Sequence, residues 1–217
     1  MKRRTLPAAT ALTATAALLL TACGGDGDES ADKDKIAGAE KSADPTPTPS
    51  ASPSDSVQRP EIILPNDMKN VFENWKAGKP VEDAVLSDAS QQINATDAAI
   101  AAADPDSAAL GFYLDGDALV GAADWVKGYV DGGNTFTGTT RYFKPELEIF
   151  DKDTAGLAYC SDESKAFDKN RKTGKVKKTA VTDKSYVTYS TRLEKNDKGV
   201  WQTTSLQSER GNAKCTP

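Results

Sequence analysis

The chain has 217 residues, a net charge of −5, three cysteines and no histidine. The missing histidine excludes Ser-His-Asp and Cys-His nucleophile systems and any His-containing zinc site. Only carboxylate, Lys, Tyr or Ser chemistry is left to an enzyme, and the length suits one or two domains.

Residues 1–22 read as an export signal. Lys2, Arg3 and Arg4 form a positive n-region, and Leu6 to Leu20 form an apolar h-region. At about 15 residues that region is shorter than the roughly 20 a membrane-crossing helix needs. It ends in Leu20-Thr21-Ala22-Cys23, which resembles a bacterial lipobox. The resemblance implies a diacylglyceryl group on Cys23 Sγ and Cys23 as the mature N-terminus. An ordinary signal cut near Ala22 is the plainer alternative, and the Arg3-Arg4 pair leaves the export route open between the Sec and twin-arginine systems. With Cys23 assigned to lipid, Cys160 and Cys215 remain in an exported chain, where oxidation persists, and they are expected to pair as a disulfide.

From Gly24 to Pro60, Ile36 and Val57 are the large apolar residues, and Asp44 to Ser56 is a Pro/Ser/Thr run. Such a composition cannot bury a core and predicts a disordered tether after the lipidated cysteine, residues 23–60. Asp26 and Asp28 lack the other ligands of a calcium loop, so no metal is expected.

Residues 61–217 form the expected folded domain. Asn66 is placed to cap a short helix carrying Met68, Val71, Phe72 and Trp75 on one face, ended by Gly78. Pro80 opens a second helix with Glu82 and Asp83 in its first turn. Val81, Val85, Ala89, Ile93, Thr96, Ile100 and Ala103 form its apolar stripe, and Asp104-Pro105 stops it. Gly111 to Asp117 reads as a strand with an Asp-Gly turn. Asp117 to Asp131 reads as a third helix with Leu119, Ala122, Val126, Tyr129 and Val130 inward, ended by Gly132-Gly133.

After Gly133 the period changes from helical to alternating. Strands are predicted over Thr135–Phe150 and Thr154–Glu163, joined by Asp151-Lys152-Asp153. A second hairpin covers Lys184–Glu194 and Gly199–Glu209, with Val187, Tyr189, Thr191 and Leu193 on one face. The stretch from Ser164 to Lys178 reads as a long basic connection. Helices first and antiparallel strands after them give an α+β domain with helices on a curved sheet.

That order resembles the NTF2-like cone. "ENWKAGKP", "FYLDGDALVGAADWVKGY" and "STRLEKNDKGVWQTTSLQSERG" resemble uncharacterised exported lipoproteins of high-GC Gram-positive, Streptomyces-type bacteria. The resemblance covers residues 66–215 and implies no activity. It does imply a sheet wrapped around a pocket, with Tyr113, Trp125, Tyr142, Tyr159, Tyr189 and Trp201 either lining that pocket or filling the core. Ketosteroid-isomerase-like relatives use an inward Asp with a Tyr or acid donor, and Asp115 or Asp117 with Tyr142 could imitate them. Both aspartates also suit turns for backbone reasons, so no catalytic residue and no cofactor is assigned.

Charge divides the domain. Residues 61–133 carry 13 acidic and 4 basic side chains, net −9, and residues 134–217 carry 11 and 16, net +5. Lys165, Lys169, Arg171, Lys172, Lys175, Lys177 and Lys178 are the densest basic run. They suit either contact with anionic lipid or wall polymer, or protection of a sheet edge. The expectation is a lipid-anchored protein on the extracytoplasmic face of the cell membrane, binding a ligand or an envelope partner without catalysis and without nucleic acid. A small isomerase- or lyase-type enzyme with a buried carboxylate, and a structural accessory domain, are the alternatives.

Overall fold

A computed structural model describes residues 57–217. The expected signal, Cys23 and most of the tether lie outside these residues. The elements are β1 (Met68–Phe72), α1 (Pro80–Ala102), α2 (Ala108–Tyr113), α3 (Gly116–Asp131), β2 (Asn134–Ile149), β3 (Thr154–Asn170), β4 (Val176–Lys177), β5 (Tyr186–Lys195) and β6 (Trp201–Arg210). The sheet runs β1-β2-β3-β5-β6, with β4 also paired to β3. All pairings are antiparallel except β1 with β2. Three helices pack on this curved sheet, the α+β architecture expected.

Two expected elements differ. The helix at Met68–Trp75 is instead β1, an edge strand in parallel register from Met68↔Gly138 to Phe72↔Tyr142. So short a segment is a poor isolated helix, whereas the open edge of β2 supplies hydrogen bonds. Its side chains alternate: Met68 is buried, Asn70 bonds to α1, and Phe72 stacks on Tyr142 at 5.1 Å. The strand expected at Gly111–Asp117 is instead the end of α2 followed by the cap of α3. Asp115 accepts from the Gly116 amide at 2.8 Å and serves as the N-cap. A single bridge, Leu114 to Thr203, is what remains of strand pairing there.

The helix at Pro80 forms as expected and ends on Ala103 in the left-handed region, with the Asp104 amide bonded back to Ala99. Its buried face is wider than the predicted stripe and takes in Asp88, Gln92 and Asp97, while Val81 stays exposed. Asp88 is wholly buried. It accepts from the Trp201 amide at 2.9 Å and pairs with Arg59. Burial pushes the Asp88 carboxyl up, against the opposing pull of the Trp201 amide and Arg59. This pair ties the segment leading into β1 to α1 and to the start of β6.

The basic connection is mostly strand. β3 continues to Asn170, so Lys165 and Lys169 stand on the sheet, and the turn to β4 closes with the Gly174 amide on Asn170. Arg171 donates to the carbonyls of Ile100 and Ala101. It supplies the cation that α1 lacks in its own last turn, where the helix dipole favours positive charge.

The core has two clusters. Trp75, Val85, Leu86, Ile93, Tyr142, Leu157, Tyr159, Leu193 and Trp201 join the first half of α1 to the sheet. Ile100, Leu110, Tyr113, Leu114, Val126 and Val200 join the second half of α1 to α2 and α3. The sheet curves between them because β2 is bulged between Thr139 and Arg141 and again between Phe143 and Glu146. Just before the first bulge, Gly138 has φ +108° and lies against the backbone of Lys165. A Cβ there would sit 2.0 Å from the Lys165 carbonyl oxygen, so only glycine lets β2 and β3 approach at this point.

Cys160 and Cys215 are disulfide-bonded, with Cα atoms 5.5 Å apart. The bond fastens the C-terminal tail to β3, on the face opposite Tyr159.

Candidate functional site

A cavity of about 560 Å³ lies between the helices and the sheet, lined by members of both core clusters. Helical spacing builds two of its walls. Ile93, Asp97 and Ile100 succeed one another on α1, and Asp117, Gly121, Trp125 and Tyr129 recur every four residues on α3. Strand alternation builds the sheet wall. Thr140 and Tyr142 come from β2, Tyr159 and Glu163 from β3, Val187 and Tyr189 from β5, and Ser208 and Arg210 from β6. Register sets Tyr159 opposite Tyr189, and Tyr189 opposite Ser208. The rings of Tyr159 and Tyr189 stack at 4.8 Å, and Tyr142 meets Tyr159 edge-on at 6.1 Å.

Four of the six aromatic candidates line this space: Trp125, Tyr142, Tyr159 and Tyr189. Trp125 is 56% exposed and marks the rim. Tyr113 and Trp201 are each 1% exposed and lie in the core clusters, away from the cavity. Of the two candidate acids, Asp115 is occupied as the α3 cap, whereas Asp117 is exposed and reaches the rim. Of the basic run, Lys169 pairs with Asp67 at 2.7 Å and Arg171 caps α1. Lys165, Lys172, Lys175, Lys177 and Lys178 are exposed. None of the seven lines the cavity.

Sequence reading passed over the most distinctive group, Asp97. It is 8% exposed and faces the cavity. Asn70 Nδ2 donates to its Oδ2 at 2.6 Å, and no other side-chain hydrogen bond to it forms among the described residues. Asn70 Oδ1 is itself buried without a partner. Burial pushes the Asp97 carboxyl up to about 7; Asn70 opposes this and the Glu163 charge adds to it. The signal was available, since Asp97 falls four residues after Ile93, inside the apolar stripe.

Glu163 is held by Arg210 at 2.6 Å, and Arg210 also donates to the Lys184 carbonyl at 2.8 Å. Burial, followed by nearby carboxylates, pushes Tyr129 up to about 12. Burial likewise raises Tyr142, Tyr159 and Tyr189, so all four phenols stay neutral donors at physiological pH. The site therefore combines an apolar ring-lined volume, neutral hydroxyls, one internally neutralised ion pair and one carboxyl poised to exchange a proton near neutrality. Among the described residues no group of three or more acidic or sulfur side chains could hold a metal ion, and no helix is long and apolar enough to cross a membrane.

No family model matches the chain, and no curated protein does. Among solved structures, it is similar to the intermembrane space region of the chloroplast protein ARC6, at 14% identity and a TM-score of 0.39, covering 57% of this chain and 92% of that one. A ketosteroid isomerase-like protein from Erwinia carotovora atroseptica is similar at 18% identity and a TM-score of 0.37, covering 58% and 93%. An NTF-2 like protein of unknown function from Shewanella oneidensis is similar at 18% identity and a TM-score of 0.35, covering 56% and 96%.

Proposed function

We propose that this protein is a lipid-anchored extracytoplasmic binding protein whose cone holds a small, largely apolar ligand at the cell envelope. The observation that carries the binding reading is the preformed cavity, whose volume and ring-lined walls suit a small molecule. A cone filled by its own side chains would have left surface recognition alone. Anchoring rests on the sequence: the signal, the Leu20-Thr21-Ala22-Cys23 motif and the polar spacer after it. The Cys160–Cys215 bond suits an oxidising compartment outside the cytoplasm.

Two measurements test this reading. N-phenyl-1-naphthylamine, a neutral apolar dye, should bind with enhanced fluorescence. Gly121→Leu should weaken that binding at least ~10-fold without loss of thermal stability. Gly121 lines the cavity and has open space where a side chain would start, and leucine favours the helix more than glycine does. Dye binding that ignores this plug would place the ligand elsewhere. For the anchor, Cys23→Ser should abolish lipid labelling and release the protein from membranes. Undiminished labelling and retention would refute the lipobox assignment.

Asp97 supports a second reading, an isomerase- or lyase-type enzyme. A buried carboxyl near neutrality among tyrosine hydroxyls is the equipment of a general base. Binding is preferred because it requires only the cavity, whereas catalysis would require turnover of a bound substrate that Asp97→Asn abolishes.

A further inference from the structure

We propose that the cavity selects an organic monocation, an apolar amine or quaternary ammonium, seated with its charge against Asp97 and its body among the tyrosine rings. This rests on the ligand-binding reading above and names the chemistry of the ligand.

The charges inside the cavity are of two kinds, those answered by a partner and those left unanswered. Glu163 is neutralised by Arg210, and no lysine among the described residues lines the space. Asp117 and Asp168 stand exposed among the lining residues, so the approach is acidic. Asp97 is buried on α1 with a neutral amide as its hydrogen-bond partner and, among the described residues, no cation beside it. A carboxylate in that position is costly unless an opposite charge joins it. An anionic ligand would be repelled by every unanswered charge in the cavity. A neutral one would leave Asp97 as it is. A cation supplies the missing charge, and the rings of Tyr142, Tyr159 and Tyr189 line the same cavity. Aromatic faces attract organic cations most strongly where water is excluded.

Proton exchange gives the proposal a signature. The groups around Asp97 are Asn70 on β1, Tyr142 on β2, Tyr159 and Glu163 on β3, Tyr189 on β5, Arg210 on β6 and Tyr129 on α3. Burial holds the tyrosines neutral far above this range and pushes the Asp97 carboxyl up to about 7, so Asp97 changes charge between pH 6 and 8. Cation binding favours the carboxylate, so it should release a proton and strengthen as pH rises.

The test is displacement of bound N-phenyl-1-naphthylamine from the purified protein by benzyltrimethylammonium and by its uncharged carbon isostere, neopentylbenzene. At pH 8 the cation should displace the dye at about tenfold lower concentration than the isostere. Its midpoint should rise about tenfold at pH 6, where the carboxyl is mostly protonated, while the isostere is unaffected. Asp97→Asn should remove both the preference and the pH dependence, and the pH comparison needs no variant at all. Equal displacement by the two compounds, unchanged by pH and by Asp97→Asn, would overturn the cation proposal and leave ligand binding standing. Failure of the dye itself to bind would overturn the ligand reading, and the proposal with it.

Discussion

Replacing Cys160 and Cys215 together with alanine should lower the stability of the domain by about 4 kcal/mol. The bond joins residues 55 apart in sequence and encloses β4, β5 and β6 in one ring. In the chain-entropy description, a loop of about that length loses roughly 4 kcal/mol of unfolded-state freedom when closed. The folded state gives the tail little else. Lys144 Nζ reaches the Lys214 carbonyl at 3.1 Å, and the Cys215 amide bonds to Asn212 at 3.1 Å within the tail's own turn. Both cysteines are nonetheless buried, Cys215 beside the Thr188 hydroxyl. The variant should melt about 8–16 °C below the oxidised parent. Urea denaturation should show a lower midpoint with a steeper slope, because the freed unfolded chain exposes more surface. A loss under about 1 kcal/mol would mean that removing the bond frees the tail in the folded domain as much as in the unfolded chain.

Asp97→Asn should stabilise the domain at pH 8 by an amount on the order of 4 kcal/mol and leave its stability at pH 4 nearly unchanged. Burial raises the folded-state pKa from 3.8 to about 7. Between those values the folded chain holds a proton that the unfolded chain has released. Stability therefore falls as pH rises through that window, by about 1.4 kcal/mol per unit for one proton. Asparagine keeps the shape, offers Asn70 an acceptor and never ionises, so the slope disappears. The quantity to measure is the parent-minus-variant difference in unfolding free energy across pH 4–8. Taking the difference cancels the opposite slopes of Asp67 and Asp162, whose carboxyls are held down by neighbours including Lys169 and Arg141 respectively. A flat difference would show that water reaches Asp97 freely and would remove its claim to be a functional group. A carboxylate kept where it costs stability is the pattern of a binding or reacting site rather than of a core.

Much of the fold was legible because local rules and tertiary packing agree there. The Pro80 start and the Asp104-Pro105 stop bracket α1, and alternation marks β5 with Val187 and Leu193 buried on one face. The disulfide followed from counting cysteines once Cys23 was set aside. Where neighbours decided, local reading failed. Met68, Val71, Phe72 and Trp75 fit a helical spacing, but a strand edge was open at β2 and took the segment in parallel register. Lys169 and Arg171 belong to a basic run in sequence, yet one pairs with Asp67 near β1 and the other reaches the end of α1.

The sequence by itself determined the helices that begin at Pro80 and near Asp117, the strands after Gly133, the partition of charge and the expected address of the chain, because each depends on near neighbours or on composition. The tertiary structure decided that the cone has a cavity and which residues line it. Periodicity shows which side chains turn inward and cannot show whether the inward volume is filled. Asp97 had no mark in the sequence beyond its place four residues after Ile93; strands from the distant second half of the chain close around it. Only the tertiary structure makes it a buried carboxylate facing tyrosine rings, with no cation to answer it among the described residues.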